Sequence, residues 1–377
     1  MFFRFLLGLF GALVSIQAQA EVLFRCPAQA AELETALPAY LKSLDIPSRH
    51  FVQTANRKTG TVALALSTPR HDTRTLDFHA RREFALRTEK VKLPTASGKG
   101  RNVDTVSRKE IVLALLQHGR RTEFKGGSCS LEALSDHVGV RQNIVAWAED
   151  LNWVWPNGGS AKWNPLYWDR GTPKPGVAVH RAMMDVFLNQ QEYRIGCYTA
   201  TKLVLVQGIL DYYRRVKPDP LRSRRIEAAL WADGDPLVDI EPGAAWNFGG
   251  EVDPRELARA GKLMDLQSAV APGNFVPGDW AYLLNTDAKS SDKTGYEGSN
   301  AIYLGRNRFD DYYDDHDHFY TWEQKLDEVY QWRNGVFSRS RHAHRIKPLS
   351  PEALARLDAR PEDGGLLMDM RIVPKTF

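Results

Sequence analysis

The sequence predicts an α+β protein, and three observations carry that expectation. From Thr105 onward the apolar residues recur at helical spacing. Strand-like segments follow one another between Phe275 and Thr321. The helices precede the strands as a block, with no visible internal repeat.

Taken in order, residues 1–20 read as a secretory signal peptide. Met1-Phe-Phe-Arg4 is a short positive start, Phe5 to Ile16 is apolar, and Ala18-Gln-Ala20 is a small-x-small cleavage site before Glu21. About 12 apolar residues fall short of the ~20 that a membrane-spanning helix needs, and no later run is longer. The expectation is a periplasmic or secreted chain with no stable membrane insertion.

Residues 21–105 read as a small accessory module. It has helical periodicity over Ala28–Leu44, strands at Thr61–Leu66, Arg74–Phe78 and Lys90–Leu93, and a loop over Leu93–Asn102. Residues 106–340 form the main domain, and 341–377 read as a C-terminal tail. Ser107 and Ser130 stand where helix N-caps belong. Trp153 to Trp168 holds five large aromatic rings among Gly, Pro and Asn. Its turn chemistry predicts a loop, either one wall of a substrate cleft or a segment pinned by its own rings. A helix over Pro175–Gln190 leads to Gly196-Cys197, and Lys217-Pro-Asp-Pro220 stops the helix that follows. Arg222, Arg224 and Arg225 read as a solvated helix face. A strand at Leu237–Ile240 and a helix start at Asp253-Pro254 come next. Strands are expected over Phe275–Leu284, Tyr296–Gly305 and His318–Thr321, then a helix over Trp322–Trp332.

Composition narrows the function. Hydrophobic content of 43% and charged content of 25% are those of a globular chain, and a net charge of +4 carries no nucleic-acid signature. Ten Trp and thirteen Tyr tilt toward surfaces that bind sugars or peptides. Three cysteines are an odd number for an oxidising compartment. The simplest division pairs Cys26 with Cys129 and spares Cys197, although three pairings are possible.

Cys197 draws the chemistry. It opens an apolar run of helix length after a turn-like glycine, and the positive end of a helix favours a thiolate nucleophile. A buried structural cysteine is the plain alternative. A helix-borne Cys followed by strands that bring a base and an orienting group is the layout of papain-like thiol enzymes. Candidate bases after Cys197 are Glu297, His316 and His318. At strand period, Glu297 and Ser299 share one face of the Tyr296–Gly305 strand.

The Cys197 stretch, Gly278-Asp-Trp-Ala-Tyr-Leu and Gly298-Ser-Asn-Ala-Ile-Tyr-Leu-Gly305 together resemble the bacterial protein-glutamine gamma-glutamyltransferase (transglutaminase) family of spore coats. That family carries a Cys-Ala-Thr-Ala helix start, a Gly-Asp-Cys-Leu-Tyr-Phe strand and a Gly-Glu-Asn-Val-Ile-Leu-Leu-Gly strand, in the same order. The resemblance spans roughly residues 175–337 and implies a core similar to NlpC/P60-type papain-like hydrolases. It also implies no cofactor, with Cys197 as nucleophile and a His matching His316 or His318. Partners would be protein or peptide substrates supplying glutamine and amine. The family's catalytic glutamate falls on Ser299, and a second glutamate falls on Gly196. Glu297 is the nearest replacement, Asn300 a positioning residue, and Trp153, Trp155 and Trp280 are candidate walls of the site.

Three other readings stay open at this point. An NlpC/P60-type peptidase would cut cell-wall peptide with water as acceptor. A periplasmic binding or scaffold protein would keep the fold without the activity. The run from Asp310 to His318 is rich in carboxylates and imidazoles, yet its spacing fits no specific metal motif, and no metal is assigned.

Overall fold

The computed structural model describes residues 21–149, 151–157, 159–232, 263–310, 312–313, 319–337, 349–367 and 371–375. The signal-like residues 1–20, the segments at Leu237–Ile240 and Asp253-Pro254, and His316 and His318 lie outside the described residues.

The chain begins with β1 (Val22–Arg25), α1 (Ala30–Ser43), β2 (Phe51–Asn56) and β3 (Thr61–Leu66). β4 (Glu89–Leu93) and β5 (Arg101–Thr105) form a separate two-stranded ribbon. α2 (Arg108–Leu116) starts at Ser107, whose hydroxyl accepts from the Glu110 N–H at 3.1 Å, as the cap rule predicts. β6 (Thr122–Lys125) then pairs in parallel with β1, completing a four-stranded sheet in the order β2-β3-β1-β6. The sheet of the N-terminal module therefore takes its last strand from beyond residue 105. A Cys26–Cys129 disulfide ties the same two segments together across 103 positions.

The expected strand at Arg74–Phe78 does not form. The Thr75 hydroxyl donates to the Phe275 carbonyl at 2.6 Å and pins the segment to the later loop, and a 3-10 turn follows at Phe78–Ala80.

α3 (Leu131–Ala148) is capped by Ser130. After the small β7 (Trp168–Asp169) and β8 (Thr172–Pro173) come α4 (Val179–Leu188) and α5 (Cys197–Asp211). All fifteen residues of α5 are buried, which fits a helix apolar on nearly every side. Gly208 lets α3 approach it closely, because a Cβ there would meet Ile144 Cα at 2.7 Å. α5 runs on as a π turn over Tyr212–Val216, and α6 (Pro220–Ala232) restarts with Pro220 in its first turn.

β9 (Met264–Gln267), β10 (Trp280–Leu284), β11 (Gly298–Gly305) and β12 (Arg308–Asp310) precede α7 (Trp322–Arg333) and α8 (Pro351–Leu357). β13 (Arg371–Pro374) closes the chain. The five late strands make an antiparallel sheet ordered β12-β11-β10-β13-β9. Two corrections follow. The residues read as a tail supply an inner strand of this sheet. The third strand is Arg308–Asp310, and Tyr320 adds only a single bridge to Phe309. A main core gathers the N-terminal sheet and α1 to α5 against one face of the five-stranded sheet, while α7 and α8 cover the other face. Helix layers on an antiparallel sheet, with a cysteine opening the central helix, make the α+β, papain-like layout that was expected.

Two buried charge clusters hold these layers in register. Asp279 accepts from Arg141 at 2.9 Å, from Arg120, and from the Val276 N–H at 2.8 Å. Burial alone would raise the Asp279 carboxyl, but the two arginines outweigh it and hold it below its usual range. Glu110 of α2 holds the β11–β12 hairpin by accepting the Arg306 N–H at 2.7 Å. That turn has Arg306 and Asn307 at φ 55° and 53°, the left-handed pair that a two-residue hairpin needs. Gly305 precedes them at φ 81°, where a Cβ would stand 2.7 Å from the Glu110 carboxylate.

Burial pushes Glu110 up to about 7, with Arg306 and Arg308 only partly opposing it. A carboxyl raised in the folded state contributes stability below its unfolded value, and loses it as pH rises through 7. This group should therefore cost about 3 kcal/mol between mildly acid and alkaline pH. E110Q keeps the acceptor for Arg306, so its stability relative to wild type should grow across that window in urea titrations. An unchanged difference between the two proteins would contradict the assignment. Replacing both Cys26 and Cys129 by Ser should cost about 4 kcal/mol, because the bridge closes a loop of roughly 100 residues. The same titrations read this as a lower midpoint, and an unshifted midpoint would show the bridge to be dispensable.

Candidate active site

The entrance to α5 is fixed before the helix begins. Arg194 exchanges backbone hydrogen bonds with Lys162 at 2.9 and 3.1 Å, and the Ile195 N–H donates to the Val154 carbonyl at 3.2 Å. Gly196 is extended (φ −75°, ψ 160°) and has no side chain to cap the helix. Its carbonyl receives the Ala200 N–H at 2.9 Å. The N–H groups of the first turn, which intrahelical bonds cannot reach, lie at the end that carries Cys197. The Thr201 hydroxyl donates to the Cys197 carbonyl at 2.7 Å and lies 2.8 Å from the Tyr312 hydroxyl. A threonine hydroxyl has one proton, so Tyr312 is the donor in the second bond.

The sheet presents Asn300 to the sulfur. Directly paired residues share a face, so Trp280 with Ile302 and Tyr282 with Asn300 look toward α5. The Trp280 indole N–H donates to Asn300 Oδ1 at 2.8 Å, and Asn300 Nδ2 donates to Cys197 Sγ at 3.4 Å. The indole can only donate, so it fixes which end of the amide meets the sulfur. Cys197 is buried, with 4% of its surface exposed. Tyr198 packs edge-on against Trp280 at 5.3 Å, and the Lys202 ammonium lies 4.9 Å from the Tyr198 ring centre. The site thus joins a thiol at a helix start, an oriented amide and aromatic walls, a set suited to covalent acyl chemistry.

Other expected site residues sit elsewhere. Glu297 does not share the Cys197 face. Its carboxylate accepts the Gly295 N–H at 3.0 and 2.9 Å, and Ser299, the strand position of the same parity, looks the other way toward Glu328 of α7 at 3.5 Å. The parity of β11 therefore gives the sulfur to Asn300. Trp153 is a core pillar and no cleft wall, fully buried with its indole donating to the Val186 carbonyl at 3.1 Å and its ring 5.2 Å from Phe187. Trp155 is half-buried, edge-on to Tyr296 at 5.5 Å. Trp280 lies beside Asn300, to which its indole donates. Asp310 turns one carboxylate oxygen to the Tyr312 N–H at 2.8 Å.

Sequence reasoning missed Thr201 and Tyr312. Thr201 stands four residues after Cys197, the spacing at which a helical threonine bonds back to a carbonyl. Tyr312, at a left-handed φ of 79°, gave no signal.

A family model described as Protein-glutamine gamma-glutamyltransferase matches residues 99–333. Among solved structures, the transglutaminase from Geobacillus stearothermophilus (without C-terminal extension) is similar at a TM-score of 0.40 and 18% identity. That likeness covers 66% of this chain and 95% of the other. No curated protein matches. The family match covers more than half of the chain and includes Cys197, Trp280 and Asn300, so the chain belongs to the protein-glutamine gamma-glutamyltransferase family of cysteine acyltransferases.

Proposed function

We propose that the protein is an exported acyltransferase in which Cys197 forms a thioester with glutamine side chains of protein substrates. The observation that carries this reading is the Asn300 amide, locked by Trp280 and donating to Cys197 Sγ at the start of a buried helix. The thiolate attacks the carboxamide carbon, the carbonyl π electrons move onto oxygen, and collapse of that adduct breaks the C–N bond. Ammonia leaves with one added proton, and an amine or water then attacks the thioester and returns the electron pair to sulfur. The positive end of α5 would stabilise the developing oxyanion. Asn300 cannot exchange the protons, so the step also needs an acid–base group, for which His316 and His318 are the sequence candidates. Export is supported by the signal-like residues 1–20 and by a disulfide of the kind that persists in oxidising compartments.

Incorporation of a fluorescent amine into casein tests this reading. C197S should fall to background. N300A should lower kcat by about a hundredfold with KM little changed, the scale for losing one oriented donor. Wild-type turnover by either variant would sink the assignment. Release of cell-wall peptides without amine incorporation would move the protein to the hydrolases.

A further inference from the structure

A cavity lies away from Cys197. It holds about 820 Å³, and none of Cys197, Trp280 or Asn300 lines it. It is a crevice between the two sheets. β6 is the outer strand of the N-terminal sheet, β9 is the outer strand of the five-stranded sheet, and residues of both line the same space. An outer strand offers backbone N–H and C=O groups to an added strand, and proteins usually cover or blunt such edges. Here two of them border one opening.

The charge around the opening is one-sided. Arg121, Lys125, Arg222 and Arg225 contribute to the lining, against the carboxylates of Glu123 and Asp265. Glu123 is answered from elsewhere by Arg25 at 2.6 Å, and Asp265 by Lys375 at 4.0 Å, with the charge of Lys125 also acting on it. Arg222 is partly neutralised by Asp136 at 3.0 Å. Lys125 and Arg225 are exposed and enter no ion pair among the described residues. Between the cations, Ile226, Leu266 and Val373 give the crevice apolar patches. Edges that pair with extended backbone, cations that take carboxylates and patches that take alternate apolar side chains describe one kind of guest.

We propose that this crevice docks an extended segment of a protein substrate in which acidic and apolar residues alternate. The word substrate rests on the acyltransferase reading, whereas the docking itself does not. Positive potential would draw such a segment in and hold the protein while its glutamine reaches Cys197.

The test uses the full C197S chain and fluorescein-labelled peptides read by anisotropy. A Glu-Val repeat should bind, and more weakly as salt rises. A Lys-Val repeat of equal length, and a Glu-Val repeat N-methylated at alternate residues, should each bind at least about tenfold more weakly. In the C197S background, K125E/R225E should lose the Glu-Val peptide by a similar factor. The same pair in the active enzyme should leave amine transfer to a short glutamine peptide at the wild-type rate. Equal binding of the two repeats, tight binding of the methylated peptide, or unchanged binding by K125E/R225E would each overturn the proposal. A chain that binds the Glu-Val peptide yet transfers no amine would keep the docking site and end only its assignment to a substrate.

Discussion

The site depends on one buried carboxylate. Asp279 is the residue before Trp280, and both it and its two arginine partners are shielded from water. Arg120 comes from the segment between α2 and β6, and Arg141 from α3. The contact therefore nails the residue that leads into β10 to the helical half of the molecule. Arg141 also donates to His137 Nε2 at 2.8 Å, which requires the imidazole to stay neutral, and burial drives that histidine well below its ordinary range. Losing the carboxylate would leave two buried guanidinium groups facing each other, an error worth about 3–5 kcal/mol. The functional cost would be larger in kind. Trp280 takes its place from Asp279, Asn300 takes its orientation from Trp280, and the sulfur of Cys197 meets Asn300.

A second support acts on the nucleophile from behind. The Tyr312 and Thr201 hydroxyls form a directed pair of hydrogen bonds that ends on the Cys197 carbonyl. Tyr312 also bonds through its backbone to Trp153 at 2.9 Å, so the aromatic segment and the first turn of α5 are braced together. The rings around Trp153 thus act as scaffold for the nucleophile, while Trp280, packed on Tyr198, holds the Asn300 amide that meets the sulfur. This division of labour explains why one loop carries so many large side chains while so few of them meet the thiol.

Much of this was legible in the sequence, and what was not has a common cause. Ser107, Ser130 and Cys197 mark helix starts because caps and first turns are local chemistry. The β10 and β11 strands were legible as apolar runs, but the face of β11 that meets the thiol was not. All eight of its residues are buried, so no polar alternation distinguishes one side from the other. A shift of one residue in parity decides between Ser299 and Asn300, and only the pairing with β10 settles it. The strand at Arg371–Pro374 is too short to announce itself and is defined by neighbours distant in sequence. Trp153 shows the same limit, since turn chemistry identifies a loop without saying which of its rings turn inward.

The central claim is that Cys197 itself carries the acyl group. Intact-mass and peptide-mass analysis of the protein, acid-quenched after mixing with a glutamine peptide in the absence of amine, tests this directly. The account predicts an adduct equal to the peptide less ammonia, located at Cys197 and lost on adding amine. No adduct in the absence of amine, or one located on another residue, would contradict it.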